Sequence, residues 1–546
     1  MTGLPSEADS VVVGAGTAGC IIAARLAKAG HSVALIEAGP KARDPLLSVP
    51  ILTGYFLRSN KYNWHFQSEP VPALNNRRID WPRGKVVGGS GAINGMVYAR
   101  GLASDYDRWA QTGLTDWSWQ RVRPVFEDLE QPSDDGEPTG HVAVDTPHWW
   151  TPLFDAFLAA AKSAGLGQTE DFNGDQPTGG GRYRFTTHSG HRANTARTFL
   201  KPALGTGRLA LVTDATVLGI EIVNGRAASV RLRRGSVEGK VAARAELVLA
   251  AGTVGSPHLL MLSGIGPGDV LQQAGVPVRV ERPAVGQNLQ DHVLVRVEHA
   301  ALKPGPLWRL LRADRAALAV TRAMLFGTGP ASVFPLLVGG FFKSDPAMDE
   351  PDLQAHFLPA LTSATVRINP FKAPPGAGER DGFFANVARM RPDSRGHIAL
   401  ASADPLTAPL IFPNYLDSVA DRQVLRQGVR VLRHLFAQPA FEPYRGRELA
   451  PGAEVQSDDE IDAWITETAS TQYHPVGTCR MGTDPGAVVD GDLRVRGVDG
   501  LRVADASVMP TITSANTQAP TMLIAEMAAR AILSETPRPE QTASGA

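Results

Sequence analysis

The sequence predicts an α/β protein, on three observations. A strand–glycine–helix–strand unit fills residues 10–39, a β-rich stretch with a hairpin signal runs from 209 to 250, and the chain changes character after about residue 300. At 546 residues it is too long for one small core and suggests two to four domains.

In residues 10–39, Val11, Val12 and Val13 form a short β-branched run closed by a glycine turn, which reads as a buried strand. Gly14, Gly16 and Gly19 then spell G-x-G-x-x-G ahead of a helix, whose apolar stripe is Ile22 and Leu26 and whose stop is Gly30. Val33, Leu35 and Ile36 make a second strand ending at Glu37, eighteen residues after Gly19. Gly14 permits the tight turn, Gly16 lets the backbone approach a pyrophosphate, and Gly19 lets helix pack on strand. The helix N-terminus then meets phosphates, and Glu37 can accept from ribose hydroxyls. This Rossmann-like unit predicts a dinucleotide site, and by itself it suits NAD as well as FAD.

Residues 40–80 are an irregular, aromatic-bearing excursion that includes Tyr62 and Trp64. The stretch Gly84–Gly101 has too many small residues for a plain strand or helix. It reads as a flexible loop or as a backbone nest for a cofactor, with Asn94 the one carboxamide able to fix a polar ring edge. Helical spacing follows through Val122–Leu129, residues 131–150 are polar and loop-like, and Phe154–Ala164 is a helix. Asn224-Gly225, between GIEIV and AASVRLR, marks a hairpin, and a third strand occupies 246–250. Residues 268–292 are turn-rich. Residues 306–329 read as one helix carrying arginines at 309, 312, 315 and 322, either a cover helix with a solvated face or a contact for a membrane surface or electron acceptor. Strands interrupted by the turn PDSRG are expected in 384–413, and helices at 421–437 and 458–468. The end is glycine-punctuated, finishing in the helix TMLIAEMAARAIL and a disordered tail at 535–546.

Composition excludes several classes. A formal net charge of −1 gives no bulk reason to expect nucleic acid, and 43% hydrophobic with 20% charged residues is the balance of a soluble globular protein. Two cysteines, Cys20 and Cys479, rule out a disulfide scaffold and suit a reducing compartment. No signal peptide or membrane span is evident, so a cytoplasmic protein is expected, at most peripheral at the inner face of the membrane. His188 and His191 lack companion ligands, no hydrolase triad spacing is present, and no metal site is expected.

Among the histidines, His474 differs in context. In TQYHPVGTCRMG, Pro475 and Gly477 force an irregular backbone where no helix or strand would bury it passively. An imidazole titrating near 6.5 suits a base at neutral pH. Asn516, in SANTQAP, precedes an apolar helix start and reads otherwise as an N-cap.

Four blocks carry a family resemblance: the N-terminal fingerprint, GKVVGGSGAINGMVYARG, GTVGSPHLLMLSGIG at 252–266, and the pair YHPVGTCRMG and DGLRVADASVMPTITSANTQAPTMLIAE. Over residues 9–534 the chain resembles the glucose–methanol–choline (GMC) flavoprotein oxidoreductases, and is most similar to their bacterial alcohol and choline dehydrogenase branch. The resemblance implies a Rossmann-like FAD-binding domain with a discontinuous substrate-binding domain built on an antiparallel sheet. On that reading residues 1–300 are mainly FAD-binding, with excursions near 40–80 and 150–200 toward the substrate side. Residues 301–469 are mainly substrate-binding, and 470–534 return to the FAD domain with the catalytic residues.

The resemblance also implies FAD contacts at Gly14, Gly16, Thr17, Ala18, Glu37, Trp64, Gly88, Asn94, Gly95, Met96, Val97, Val217 (adenine), Ala251, Asp505, Ala506, Asn516 and Thr517. It makes His474 and Asn516 the catalytic pair, and puts Trp64 and Tyr473 at the substrate pocket. Some members attach FAD through a histidine before the asparagine matching Asn94. Ile93 stands there, so non-covalent FAD is expected, with Gly91 smaller than the usual serine. The implied activity is oxidation of a primary alcohol to the aldehyde, with electrons passed to a quinone or to oxygen. A lyase or photodecarboxylase on the same fold, and a non-catalytic nucleotide-binding module, are the competing readings, and the intact His474–Asn516 pair argues against both.

Overall fold

The computed structural model describes residues 4–130, 139–364, 366 and 381–535. Part of the expected polar loop (131–138) and the tail from 536 lie outside them. The first sheet grows from β1 (Glu7–Val13), α1 (Thr17–Lys28) and β2 (Val33–Ile36). Four more strands follow: β3 (Leu209–Val212), β4 (Thr216–Val223), β5 (Arg226–Arg234) and β6 (Val237–Leu249). Their order is β3-β2-β1-β6-β5-β4, and Leu501–Val503 joins the far side of β6. Val11, Val12 and Val13 run parallel to both Ala34–Ile36 and Leu247–Leu249, covered on both faces, which is why they read as an unbroken apolar run. Gly14 ends β1 at φ 100°, and a Cβ there would overlap the Ala250 carbonyl oxygen.

The predicted third strand, 246–250, is the end of the much longer β6. Its antiparallel hairpin with β5 continues into β4 through Asn224 (φ 50°) and Gly225 (φ 78°), the left-handed pair a two-residue turn requires. After β6, α2 (Gly252–Leu262) begins.

The second sheet is antiparallel and built from β7 (Val293–Ala301), β8 (Val338–Phe342), β9 (Leu353–Leu358) and β10 (Gly382–Arg389), in the order β7-β10-β9-β8. Gly179–Arg182 pairs with β8, and Ser470–Thr471 pairs with β7. The 384–413 region supplies β10 and a separate small hairpin, His397–Ala399 with Leu410–Phe412. Val419–Phe436 and Asp458–Thr468 are helices as expected.

Residues 306–329 form two helices, Pro306–Leu310 and Ala313–Phe326, where one was expected. Arg312 between them is extended (ψ 133°) and its guanidinium grips the Asp314 carboxylate at 2.9 Å, a local pairing that apolar spacing does not report. The last helix, α3 (Gln518–Glu535), packs on α1, where Arg25 meets the buried Glu526 at 2.8 Å. Glu535 ends this helix and pairs with buried Arg502 at 2.7 Å, so the helix takes in the first residue of the expected tail. No helix is long and apolar enough to cross a membrane among the described residues.

Candidate active site

One cavity of about 860 Å³ runs from the fingerprint to the second sheet. At one end its wall is Gly14, Gly16, Thr17, Ala18, Glu37, Val217 and Ala251. Its middle is Asn94, Gly95, Met96, Val97, Asp505, Ala506 and Thr517, and its far end is Trp64, Tyr473, His474 and Asn516. Every residue expected at the site lies on this wall except Gly88. Gly88 faces Asn194 instead, at φ 101°, and donates its N–H to Ala15 O at 2.7 Å. It shapes the loop rather than the cavity surface.

At the fingerprint, Glu37 accepts the Ala15 N–H (2.9 Å) and the Gly39 N–H (2.8 Å). Burial pushes its carboxyl up to about 7, against those two bonds and the charge of Lys85. Asp505 is likewise engaged, by the Gly252 N–H (2.8 Å), the Ser256 hydroxyl (2.6 Å) and the Ser507 N–H (2.8 Å).

The glycine-rich segment is laid directly on the fingerprint, since a Cβ on Gly89 would meet Gly16 Cα. It is clamped by Arg192, a buried guanidinium that donates to Leu47 O (3.3 Å), Gly91 O (3.3 Å), Asn94 O (2.7 Å), Asn94 Oδ1 (2.8 Å) and the Thr53 hydroxyl (2.8 Å). Burial brings Arg192 down to about 9. Asn94 Nδ2 in turn donates to Gln518 Oε1 at 2.5 Å.

Among the described residues, four buried polar atoms of cavity-wall side chains have no partner: Arg83 Nε, His356 Nε2, Gln472 Oε1 and Gln518 Nε2. Together with the side-chain-free cradle at Gly14, Gly16 and Gly89, these are the polar atoms and the space that a dinucleotide reaching the second sheet would use. The residues fit FAD.

At the far end a hydrogen-bond chain fixes every proton. His292 Nε2 lies 2.8 Å from Met390 O, an acceptor only, so this nitrogen carries the hydrogen. Burial takes His292 down to about 4, leaving it neutral with a lone pair on Nδ1. His474 Nδ1, 3.0 Å away, therefore donates to it. His474 is held well below its ordinary range, first by burial and then by the cationic groups around it, Arg83 among them, so it too is neutral and its lone pair sits on Nε2. Asn516 Nδ2 donates to that lone pair at 3.0 Å, while Asn516 Oδ1 accepts from Gln354 Nε2 at 3.0 Å. Both side-chain ends of Asn516 are thus turned to this chain rather than to the helix amides of an N-cap.

The backbone is held as firmly. The His474 N–H donates to Asp291 Oδ1 at 2.8 Å, and the other Asp291 oxygen takes the Tyr415 and Thr471 hydroxyls, each at 2.5 Å. Asp291 and His292 therefore aim His474 from the segment just before β7. Sequence reasoning saw there only a turn-rich stretch. The one available signal was an acid–histidine pair set against the apolar strand Val293–Val297. Tyr473 is left-handed (φ 67°), 40% exposed, and its carbonyl accepts from Arg83 Nη2 at 3.0 Å. Trp64 stacks on Phe66 (centroids 5.7 Å) under the Lys85 ammonium at 4.4 Å.

Comparison with known proteins places these features. The profile of the GMC oxidoreductases matches residues 8–294 and 392–525. An oxygen-dependent choline dehydrogenase of Rhizobium rhizogenes is 41% identical over 535 residues, covering 96% of each chain. One from Pseudomonas syringae pv. syringae is 42% identical over 550 residues, 98% of this chain and 95% of the relative. Among solved structures, pyridoxine 4-oxidase from Mesorbium loti superposes with a TM-score of 0.84 at 31% identity over 96% of this chain and 98% of its own. A formate oxidase of Aspergillus oryzae RIB40, carrying the mutation R554K, superposes with 0.86 at 26% identity over 98% and 99%. The chain belongs to the GMC oxidoreductase family, as an FAD-dependent oxidoreductase acting on a CH–OH donor.

Proposed function

We propose that this protein oxidises a primary alcohol to the aldehyde with His474 Nε2 as the base. The observation that carries the reading is the 3.0 Å contact between the His474 lone pair and Asn516 Nδ2 at the end of the cavity. A substrate hydroxyl entering there displaces Asn516 from that lone pair, donates to His474 Nε2 and accepts the Asn516 Nδ2–H, which sets its oxygen between the two side chains. The cavity wall from Gly14 to Thr517 would hold FAD non-covalently, with Ile93 rather than a histidine before Asn94, and the flavin would supply the two-electron acceptor for the substrate's α-hydrogen. His474 takes the hydroxyl proton, and its Nδ1–H stays on His292 while the charge develops.

Electron disposal goes to a quinone-type acceptor on this reading. Oxygen is the second reading, favoured by the names of the relatives and structural neighbours, which include oxygen-dependent dehydrogenases and oxidases. Under anaerobic conditions an alcohol should bleach the flavin absorbance. Unchanged absorbance across a panel of aliphatic, aryl and furanic alcohols contradicts the proposal. Initial rates with dye reduction set beside oxygen uptake decide between the two acceptors.

A further inference from the structure

The cavity wall beyond the catalytic pair is one face of the second sheet, and it carries an unbalanced cation. Arg296 on β7, Asn386 on β10 and His356 on β9 stand directly opposite one another across three strands. The rows on either side, on the same face, are Leu294–Ala388–Gln354 and Glu298–Phe384–Leu358. Leu294, Arg296, Asn386, Phe384, His356 and Leu358 all line the cavity. Arg296 donates its Nε to Asn386 Oδ1 at 2.9 Å and lies over the Phe384 ring at 5.8 Å, which holds the guanidinium in one orientation and leaves its two terminal nitrogens as a fork.

No ion pair among the described residues includes Arg296. Glu298, the acid nearest on this face, is turned to the Thr362 N–H (2.7 Å) and hydroxyl. The only carboxylates on the cavity wall among the described residues are Glu37 and Asp505, both tied to backbone amides near the fingerprint. Of the other Lys and Arg side chains on the wall, Arg83 donates Nη2 to the Tyr473 carbonyl at 3.0 Å and feels the Asp291 charge, and Lys85 sits on Trp64. Glu69 pairs with Arg78 at 2.9 Å and is absent from the wall.

We infer that Arg296 is a specificity residue that receives the carboxylate of the substrate, so that the preferred alcohols are hydroxymethyl compounds bearing a carboxylate on a flat, apolar body. This rests on the alcohol-oxidation reading of the same cavity and narrows it. A quaternary ammonium alcohol such as choline would meet a guanidinium and Leu294 here, with no carboxylate beside the aromatic ring to hold its cation. A carboxylate meets a bidentate donor in a half-buried setting, the pairing guanidinium geometry favours. His356 and Gln354 sit at the catalytic end through Gln472 and Asn516, and Arg296 is two strand spacings away from His356, or about 10 Å between backbones. That separation suits one ring between carbinol and carboxylate, with Phe334, Leu336 and Phe384 as apolar walls.

The test compares 4-(hydroxymethyl)benzoate, benzyl alcohol and choline in steady-state turnover with a dye acceptor and in anaerobic flavin reduction by the holoenzyme, alongside calorimetric titration with 4-methylbenzoate, which lacks the hydroxyl. The expected result is a kcat/KM at least tenfold higher for 4-(hydroxymethyl)benzoate than for benzyl alcohol, carried by KM, with choline slowest. Arg296→Leu should collapse that ratio toward unity and abolish 4-methylbenzoate binding, and Arg296→Lys should restore part of both. Equal values for the two aryl alcohols, a preference for choline, or a ratio unchanged in Arg296→Leu overturns the inference. If 4-methylbenzoate binds through Arg296 and no alcohol reduces the flavin, the anion site stands and the alcohol-oxidation reading falls. If neutral alcohols are oxidised and 4-methylbenzoate fails to bind, the reverse holds.

Discussion

On the proposed mechanism a single proton position governs the chemistry: His474 holds its hydrogen on Nδ1 and offers Nε2. His292 enforces this because its own hydrogen is committed to the Met390 carbonyl at 2.8 Å. Removing it in His292→Ala frees His474 to adopt either tautomer. The expected loss in kcat/KM is about 10- to 100-fold, the usual scale when a histidine's outer partner is removed, with flavin content unchanged. Steady-state kinetics beside the flavin spectrum check this, and wild-type kinetics would refute it. The same histidines make stability depend on pH. The folded value for His292, about 4, is below the unfolded value of about 6.5, so the unfolded chain binds more protons between the two. Stability is therefore fully present above pH 6.5 and is lost as pH falls through 4, with His292 contributing up to ~3 kcal/mol and His474 adding in the same direction. Thermal melts of the holoenzyme from pH 8 to 4 should show a steep fall below 6.5. A flat profile contradicts the assignment.

At the scale of elements, the glycine-rich segment depends on Arg192 more than on its own glycines. Arg192→Leu would strand the carbonyls of Leu47 and Gly91 and leave that of Asn94 only the Thr53 hydroxyl, each unsatisfied buried group costing about 1–3 kcal/mol. The variant should lose melting temperature and FAD together, measured by thermal shift and flavin release, whereas loss of neither would mean the clamp is dispensable. Local elements were legible where the pattern itself is local. The β1–α1–β2 unit and the Asn224-Gly225 hairpin follow from apolar runs and from glycines at left-handed positions. The break at Arg312 was not legible, because apolar residues continue on both sides of it while the backbone there turns extended (ψ 133°). Arg192 was hidden for a different reason: its acceptors are carbonyls, which no sequence pattern marks.

For the molecule as a whole, the site is assembled from segments far apart in the chain. His474 is aimed by Asp291 and His292 from more than 180 residues away, and Asn516 by Gln354 from 162. His474 and Asn516 were visible beforehand because their own motifs are irregular and were matched to a family. His292, Gln354 and Arg296 were not, since each is an ordinary residue until the antiparallel sheet sets it against its partner. The first helix and the last are joined through Arg25 and Glu526, so the anchor at Gly14–Glu37 and the catalytic end belong to one packed body. The most direct test is the rate constant of anaerobic flavin reduction by a primary alcohol, measured in the wild type and in His474→Ala with equal flavin content. Rapid bleaching in the wild type and a fall of about 10²- to 10⁴-fold in the variant are predicted; an unbleached wild type, or a variant as fast as the wild type, would contradict His474 as the base of an alcohol oxidation.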